Sequence, residues 1–247
     1  SSFVVCADVQ RAQTGHDRIH FVIVPPAGGP GHWDNKLHAD AQLSWRLSNV
    51  VLPLTRLIAA PTSFTICGTR TEARRLHDGA GTENVFPEKY TLDAPIEQHH
   101  TGWSVILAHR GADLQRIRAS EQARAYARQW INARADGRKV VAITLREAPF
   151  LPARNSDPAV WGAFARALGE RGFLPVVLRD MDTALGPSHP AFDGIDTFAE
   201  GVLNLELRMA FYEEAHIHAS VANGPVHVCF YDRNVRYLYV VTGDWLR

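Results

Sequence analysis

The sequence predicts an α/β protein in which parallel sheets are flanked by helices. Two observations support this prediction. A complete strand, helix and strand unit lies between residues 139 and 182, and the first half of the chain also alternates strand-like and helix-like segments. Strands that alternate with helices form parallel sheets, because each crossover places its helix on a face of the sheet. With 247 residues, the chain is long enough for two domains of this kind.

Two apolar runs in the first half are predicted to be strands, and each precedes a helical pattern. The run IHFVIVPP (19–26) leads into a Gly/Pro-rich loop, after which apolar residues recur near one helical face over residues 40–58. Pro53 interrupts that pattern and predicts a break or kink, because proline lacks the N–H that an interior helical position needs. The run SFTICG (63–68) is the second strand candidate, and a helix is expected over residues 69–77.

The signals weaken between residues 78 and 119, where WSVILAH (103–109) is the one clear strand-like run. A helix capped by Ser120 then begins, with apolar residues at helical spacing. We therefore predict two Rossmann-like halves, one over residues 1–115 and the other over residues 116–247.

The second half contains the clearest secondary-structure signals of the chain. KVVAITL (139–145) is a near-continuous apolar run typical of a buried strand, and FLPVVL (173–178) is a second one. Between them a helix is delimited by Asp157 as N-cap, Pro158 at the first helical position and Gly172 just past the end. The proline inside the second run is awkward for a central strand, because it cannot donate a hydrogen bond to a neighbouring strand.

Short β segments are expected to close the chain after a helix near residues 202–216. These segments are HASVAN (218–223), VHVCFY (226–231) and VRYLYVV (235–241). A tight turn is expected at residues 223–225, Asn-Gly-Pro, because Asn and Gly tolerate positive φ.

Composition excludes several classes of protein. Basic and acidic residues are equal in number, 26 of each, so the chain lacks the positive charge of a dedicated nucleic-acid binder. Cys6, Cys67 and Cys229 are widely spaced and form no CxxC pair, which argues against a disulfide framework and a thiolate zinc site. The sequence shows neither a bilayer-spanning apolar run nor a signal-peptide pattern. We expect a cytoplasmic protein, which could also sit peripherally at the inner face of the membrane.

Polar residues cluster where the two strands of the second half end. Open α/β sheets bind ligands outside the carboxyl ends of their strands. Guanidinium and amide groups suit a pyrophosphate, and carboxylates suit sugar hydroxyls, so we predict a site for an anionic, hydroxylated molecule. Its candidate residues are Arg146, Glu147, Arg154, Asn155, Asp180 and Asp182. The alternative is that the strand-end charges form a purely structural ion pair.

The loop after the first strand offers a catalytic base. Its AGGPGH segment matches neither GxGxxG nor GxxxxGK[ST], and Pro30 removes a backbone donor, so a phosphate loop is disfavoured. His32 or Asp34 could instead deprotonate an acceptor hydroxyl, since imidazole and carboxylate take up protons near neutral pH. The alternative for both is a plain solvent-facing loop.

The twelve histidines predict no metal site. The sets that the fold could bring together are His99, His100 and His109, and His216, His218 and His227. Neither set shows an established ligand spacing, and HExxH is absent, as is the GxSxG of serine hydrolases. We therefore expect neither a metal nor another cofactor.

Several segments together resemble the nucleotide-sugar-binding half of GT-B glycosyltransferases. They are VVAITLRE, the Arg154-Asn155-Ser156 loop, the helix with Trp161, the strand ending at Arg179-Asp180, and LRMAFYEEAHIHASVANGP. Over about residues 139–225 the chain is similar to uncharacterised bacterial surface-polysaccharide cluster proteins and, more distantly, to fucosyltransferase-type enzymes.

This resemblance implies a cleft between an acceptor-side N-terminal domain and a nucleotide-sugar-binding C-terminal domain. It implies that Arg146 and Arg154 hold the donor diphosphate. Asp180 and Asp182 would contact hydroxyls or the base, and Asn223-Gly224 would lie near the phosphates. In such enzymes cationic side chains and helix N-termini stabilise the leaving diphosphate without a metal. The implied activity is transfer of a sugar from a nucleotide-sugar to a glycan or a lipid-linked polysaccharide precursor.

Two other functions remain open at this point. A non-catalytic nucleotide- or glycan-binding module could keep the same fold and lack the base. Another transfer enzyme on this architecture, of pyruvyl transferase or epimerase type, is the second alternative.

Overall fold

The structure, a computed structural model, contains two compact units, Ser1–Arg116 and Ile117–Arg247. Both units combine parallel strands with flanking helices, so the predicted fold class is confirmed. The structure describes residues 1–25, 40–94, 100–149, 151–181, 183–184 and 186–241.

The described part of the first unit is built on two parallel strands. Its elements are α1 (Ser2–Gln13), β1 (Ile19–Ile23), α2 (Asp40–Arg46), α3 (Leu52–Leu54), β2 (Thr62–Ile66), α4 (Arg70–Ala80) and α5 (His100–His109). The strands pair with Phe21 opposite Phe64. Val4 of α1 packs with Phe21 and Ile58, which gives this unit a small apolar cluster of its own.

The prediction of a strand at residues 103–109 is wrong, because this segment lies in helix α5. Trp103 and Leu107, one helical turn apart, pack on α1. Val105 and Ile106 between them are exposed. Periodicity does not distinguish a helix from a strand in so short an apolar run, and the contact with α1 selects the helix.

The break predicted at Pro53 is confirmed. A π-helical turn, Leu47–Val51, separates α2 from α3, and Pro53 lies in the first turn of α3. Helical dihedral angles continue through Val51 and Leu52, and the Leu52 N–H bonds to the Leu47 carbonyl, so the wider π-helical turn replaces regular α-helical bonding just before the proline.

The second unit contains a five-stranded parallel sheet. Its elements are α6 (Glu121–Ala135), β3 (Lys139–Thr144), α7 (Pro158–Glu170), β4 (Phe173–Leu178), β5 (Asp196–Thr197), α8 (Glu200–Leu203), α9 (Leu205–Glu214), β6 (Ile217–Val221) and β7 (Tyr237–Val240). The strand order is β5-β4-β3-β6-β7, and every pair is parallel. The chain therefore adds β4 and β5 on one side of β3, and then adds β6 and β7 on the other side of β3. Such a reversal opens a crevice at the carboxyl ends of β3 and β6, the switch point of the sheet.

Helix α7 forms where the sequence predicted it, and local capping explains its ends. Asp157 Oδ1 accepts the N–H groups of Ala159 (2.9 Å) and Val160 (3.3 Å). Past the C-terminus, Gly172 adopts φ +81°, a conformation that favours glycine. The buried face of α7 carries Trp161, which packs on the sheet in the main apolar cluster of this unit.

Pro175 is compatible with β4 because its backbone nitrogen, which carries no hydrogen, faces the short edge strand β5. The carbonyl of Val177 accepts the N–H of Phe198 (3.0 Å), so Val177 points its backbone groups toward β5. Residues two apart in a strand face the same side, so Pro175 also points toward β5. Pairing with β5 is confined to Val176 and Val177. No ladder hydrogen bond is therefore lost at Pro175.

The prediction of a strand at residues 226–231 is wrong, whereas the turn expected at residues 223–225 is present. Residues 226–231 form a 3-10 helix, Pro225–Tyr231, and not a strand. Gly224 has φ −59°, so the turn before this helix needs no positive φ. The turn is held by Asn223, whose Oδ1 accepts the N–H of Val226 (3.1 Å). Capping by that side chain favours a helical turn over an extended strand.

The helix expected near residues 202–216 is divided into α8 and α9. Asn204 lies between them with φ −130° and caps α9 by accepting the N–H groups of Glu206 (2.9 Å) and Leu207 (3.1 Å). In the described ranges, none of the helices has the length and apolar character needed to cross a membrane.

Two glycines of α7 provide a test of how closely this helix packs. A Cβ on Gly162 would lie 2.4 Å from the carbonyl oxygen of Ala191, whereas a Cβ on Gly169 would meet nothing within 4 Å. We expect Gly162→Ala to lower the free energy of unfolding by about 1–3 kcal/mol, because overpacking forces backbone shifts. Gly169→Ala should raise it by about 0.5–1 kcal/mol through helix propensity. Urea denaturation of both variants checks this, and equal effects would contradict the packing described.

Candidate anion-binding site

The predicted donor-binding residues that the structure describes lie at the carboxyl ends of three neighbouring strands. Arg146 and Glu147 follow β3, Asp180 follows β4, and Asn223 follows β6. These strands are adjacent in the order β4-β3-β6, so the topology brings together segments that are far apart in the sequence. Asp182 and the two proposed bases, His32 and Asp34, lie outside the described residues.

Arg146 is buried and holds the loop that leads to α7. Its backbone N–H donates to Ser156 Oγ (2.9 Å), and its carbonyl accepts the Ser156 N–H (2.9 Å). The guanidinium Nη1 donates to the carbonyl of Leu151 (2.9 Å) and to Asn155 Oδ1. Asn155 in turn donates to the carbonyl of Ala148 (2.9 Å). Arg146 and Asn155 therefore have a structural role in shaping this loop.

Arg154, at the far end of the same loop, is partly exposed and lies near Arg146. Burial lowers the pKa of the Arg146 guanidinium, the charge of Arg154 lowers it further, and Asp180 acts in the opposite sense. Arg154 likewise lowers the pKa of His227, whose main cause of lowering is burial. It also opposes the burial that raises the pKa of Tyr239. Arg154 thus lies where the loop after β3 approaches the segments that follow β6.

Two guanidinium groups in electrostatic contact form an environment that favours an anion. The charge of Arg154 disfavours the charge of Arg146, and a phosphate or carboxylate close to both would offset this effect. Planar guanidinium groups also match phosphate oxygens as hydrogen-bond donors. The chemistry of this edge of the sheet therefore suits a negatively charged ligand.

Glu147 and Arg179 join the ends of β3 and β4. The Glu147 carboxylate accepts Arg179 Nη2 (2.8 Å) and Nε (3.1 Å), the hydroxyl of Thr183 (2.6 Å) and the N–H of Asp180 (3.2 Å). Arg179 Nη1 also donates to the carbonyl of Pro187 (2.9 Å). Burial alone would raise the pKa of Glu147, but the hydrogen bonds from Arg179 and Thr183 outweigh it and hold the pKa below its ordinary value. We call this arrangement the strand-end clamp.

Asp180 and Asn223 are engaged by backbone groups. Asp180 Oδ1 accepts the N–H of Met181 (2.7 Å), and Oδ2 accepts the N–H of Glu147 (3.3 Å). Asn223 is buried, with its Nδ2 donating to the carbonyl of Val221 (3.2 Å). The hydrogen bonds of both side chains stabilise turns, so contacts of these residues with a ligand remain predictions.

Gly224 is exposed, and a Cβ on it would meet nothing within 4 Å. Its backbone is therefore open to a ligand that approaches the turn after β6. The N-terminus of α7 differs in this respect. Pro158 has no N–H, and Asp157 already accepts the N–H groups of Ala159 and Val160. A phosphate bound at this site would therefore receive hydrogen bonds from side chains more than from the backbone N–H groups at the start of α7.

Sequence analysis did not assign three residues to this region, although it considered one of them, His227, as a metal ligand. His227 stacks on Phe230 (5.3 Å between ring centroids), and Tyr239 contacts the same ring edge-on (5.4 Å). Both lie near Arg154 only because β6 pairs with β3 and β7 pairs with β6. Arg208 of α9 is buried, and it was not singled out because nothing in a helical sequence pattern reveals its contacts. Knowledge of the strand order is the signal that would have identified the first two.

The histidines considered as metal ligands are dispersed or internal. His218 is fully buried, with Nε2 2.9 Å from Thr144 Oγ1, and burial lowers its pKa to about 3. His99 lies outside the described residues. Among the residues that the structure describes, no group of three His, Cys, Asp or Glu is placed to hold a metal ion.

A cavity of about 880 Å³ lies in the first unit, between α1, β1 and α4. Its walls include the apolar side chains of Phe3, Phe21 and Leu76. The described residues of the candidate anion site belong to the second unit, and none of them lines this cavity.

Among solved structures, the chain is similar to a glycosyl transferase of family 9 from Veillonella parvula DSM 2008. The TM-score is 0.59 at 12% identity, and the match covers 98% of this chain and 82% of that one. This similarity shows a GT-B-like glycosyltransferase fold. The ADP-heptose lps heptosyltransferase II of E. coli matches with a TM-score of 0.35 at 12% identity, over 51% of this chain and 46% of that one. No protein-family model matches the chain, and no curated protein does.

The strand-end clamp predicts a specific dependence of stability on pH. Glu147→Gln should lower the free energy of unfolding at pH 7 by up to about 3 kcal/mol, because it leaves the nearly buried Arg179 without its counter-ion. The pKa of Glu147 is lower in the folded protein, so its stabilising effect is present above the unfolded pKa of about 4.3 and is lost as pH falls through the folded value.

The measurement is urea denaturation of both proteins between pH 3 and pH 8. The difference between them should shrink at the acidic end. Glu170→Gln, an exposed carboxylate at the end of α7, is the matched control and should change stability by less than about 0.5 kcal/mol. A difference that stays constant with pH would refute the role of the Glu147 charge.

Proposed function

We propose that this chain is a glycosyltransferase that moves a sugar from a nucleotide-sugar donor to a glycan or polysaccharide-precursor acceptor. The observation that carries the proposal is that Arg146, which follows β3 at the switch point of the second sheet, hydrogen-bonds Asn155, the chain neighbour of Arg154. Ligands of open α/β sheets bind at this point, and the GT-B-like fold agrees with such a donor. The likeness to fucosyltransferase-type and surface-polysaccharide cluster proteins stays a prediction from sequence.

The proposed reaction is a direct displacement at the anomeric carbon of the donor sugar. The acceptor hydroxyl oxygen forms the new bond to that carbon, and His32 or Asp34 takes the hydroxyl proton. The bond between the anomeric carbon and the diphosphate oxygen breaks, and its electron pair stays on the nucleoside diphosphate. Arg146 and Arg154 stabilise the negative charge that develops there. Two guanidinium groups supply the charge that a metal ion would otherwise provide, so the proposed scheme is metal-independent.

Arg154 is a sharper probe of donor binding than Arg146. Arg146 also holds the loop through Leu151 and Asn155, so its removal disturbs structure as well as charge. Arg154 is partly exposed, and its charge acts on Arg146, His227 and Tyr239. Loss of affinity in an Arg154 variant whose free energy of unfolding matches that of the wild type would therefore report on the ligand.

A thermal-shift screen with GDP, UDP, ADP and CMP tests the proposal. A nucleotide at 100 times its dissociation constant should stabilise the protein by about 2.7 kcal/mol. Arg154→Ala should weaken that binding about 10-fold or more, because a hydrogen bond to a charged group contributes about 1.5–3 kcal/mol. Arg171→Ala is the control, because it removes the same charge just before β4 begins, at the amino ends of the strands. It should leave the affinity unchanged. If no nucleotide binds, the proposal fails.

Two further measurements separate the alternatives. Gly224→Ala adds a methyl group in open space, so it should keep the stability and weaken nucleotide binding if the phosphates approach this turn. Hydrolysis of the donor by the wild-type protein distinguishes an enzyme from a non-catalytic binding module. Nucleotide binding without any donor turnover would favour the binding module.

A further inference from the structure

Arg208 of α9 is a buried cation held by two backbone carbonyls and by a hydrogen bond that its side chain donates to the hydroxyl of Tyr212. Only 2% of its surface is exposed. Its Nε donates to the carbonyl of Gly201 (2.8 Å), and its Nη2 donates to the carbonyl of Arg179 (3.1 Å). Within the described ranges, no carboxylate forms an ion pair with it. A buried guanidinium without a counter-ion is costly, so its hydrogen bonds must offset the loss of hydration and hold the groups that accept them.

The first acceptor depends on the close approach of α8 and α9. A Cβ on Gly201 would lie 2.6 Å from the ring of Phe198 and 3.2 Å from Cα of Arg208. Gly201 therefore allows the two helices to approach until its carbonyl reaches Arg208 Nε. This contact holds Nε of the guanidinium, while Nη2 donates to the carbonyl of Arg179 at the end of β4.

The second acceptor lies at the strand-end clamp. Arg179 is the first residue after β4, and its side chain makes the two hydrogen bonds to Glu147. Glu147 is the chain neighbour of Arg146, which is part of the candidate anion site. A continuous series of contacts thus runs from Arg208 through Arg179 to Glu147, and from there along the backbone to Arg146.

We infer that Arg208 is a positioning residue for the anion site. Arg208 holds the carbonyl of Arg179, and the side chain of Arg179 orients Glu147. The strand-end clamp in turn fixes the segment after β3 that contains Arg146. Arg208 itself does not contact the ligand. This inference rests on the proposed function, because it assigns Arg208 to the placement of the groups that bind the nucleotide diphosphate.

The first test uses the wild-type protein and needs no variant. The Nε–H resonance of Arg208 is followed by NMR while the nucleotide that gives the largest thermal shift is titrated. Arg138 is the matched control, because its Nε and Nη2 also donate to two backbone carbonyls, those of Ala135 (3.0 Å) and Arg134 (3.2 Å), before β3 begins. The Arg208 resonance should shift and saturate with the ligand, and the Arg138 resonance should stay in place.

The second test uses Arg208→Lys, which keeps the charge but replaces the two-pronged fork with a single ammonium. We expect it to weaken nucleotide binding by about 5- to 30-fold. Arg138→Lys, the control, should leave affinity unchanged. Because Arg208 and Glu147 act through the same contacts, the double variant with Glu147→Gln should lose much less affinity than the product of the two single losses.

The outcomes are distinguishable. If the wild-type protein binds none of the nucleotides, the proposed function and this inference both fall. If it binds one while the Arg208 resonance stays fixed, the positioning role alone is wrong. The same conclusion follows if the affinity of Arg208→Lys for the nucleotide is within about 2-fold of the wild-type affinity. It also follows if the double variant loses as much affinity as the product of the losses in Arg208→Lys and Glu147→Gln. Should Arg208→Lys fail to fold, the titration of the wild-type protein decides.

Discussion

The hydrogen-bonded ion pair between Glu147 and Arg179 is the constraint on which the candidate site depends. Parallel strands are held together by backbone hydrogen bonds along their length, but nothing in the ladder fixes the segments beyond their ends. Here one carboxylate accepts from Arg179, Thr183 and the backbone of Asp180, so hydrogen bonds connect the ends of β3 and β4 and the loop after β4. A largely desolvated, fully hydrogen-bonded pair can fix geometry in this way even where its net stabilisation is modest.

The clamp also changes the electrostatic character of the site. Glu147 is neutralised by Arg179, while Arg154 lowers the pKa of Arg146 and Asp180 raises it. The local balance therefore favours an anion although the whole chain has a formal charge of zero. Charge composition describes the molecule as a whole, whereas binding depends on which charges the fold places next to each other.

Beneath the site, the sheet contains a polar group of buried residues. Thr144 ends β3 and shares hydrogen bonds with Tyr212 (2.8 Å) and His218 (2.9 Å), and His218 also contacts Cys229 (3.5 Å). Burial keeps His218 neutral, with its pKa lowered to about 3, so the network does not titrate near neutral pH. Directional hydrogen bonds of this kind fix side chains more tightly than apolar contacts do, and they link α9 to the strands that support the site.

The sequence by itself determined the elements with strong local signals: the strand–α7–strand unit, the caps at Asp157 and Gly172, and the break at Pro53. Propensity and capping act over a few residues, so they can be read from the chain. The tertiary structure decided the rest. Packing on α1 made residues 103–109 helical, and capping by Asn223 made residues 226–231 a 3-10 helix. Strand order brought Arg154 to His227, because contacts between distant segments depend on topology, which no local pattern encodes.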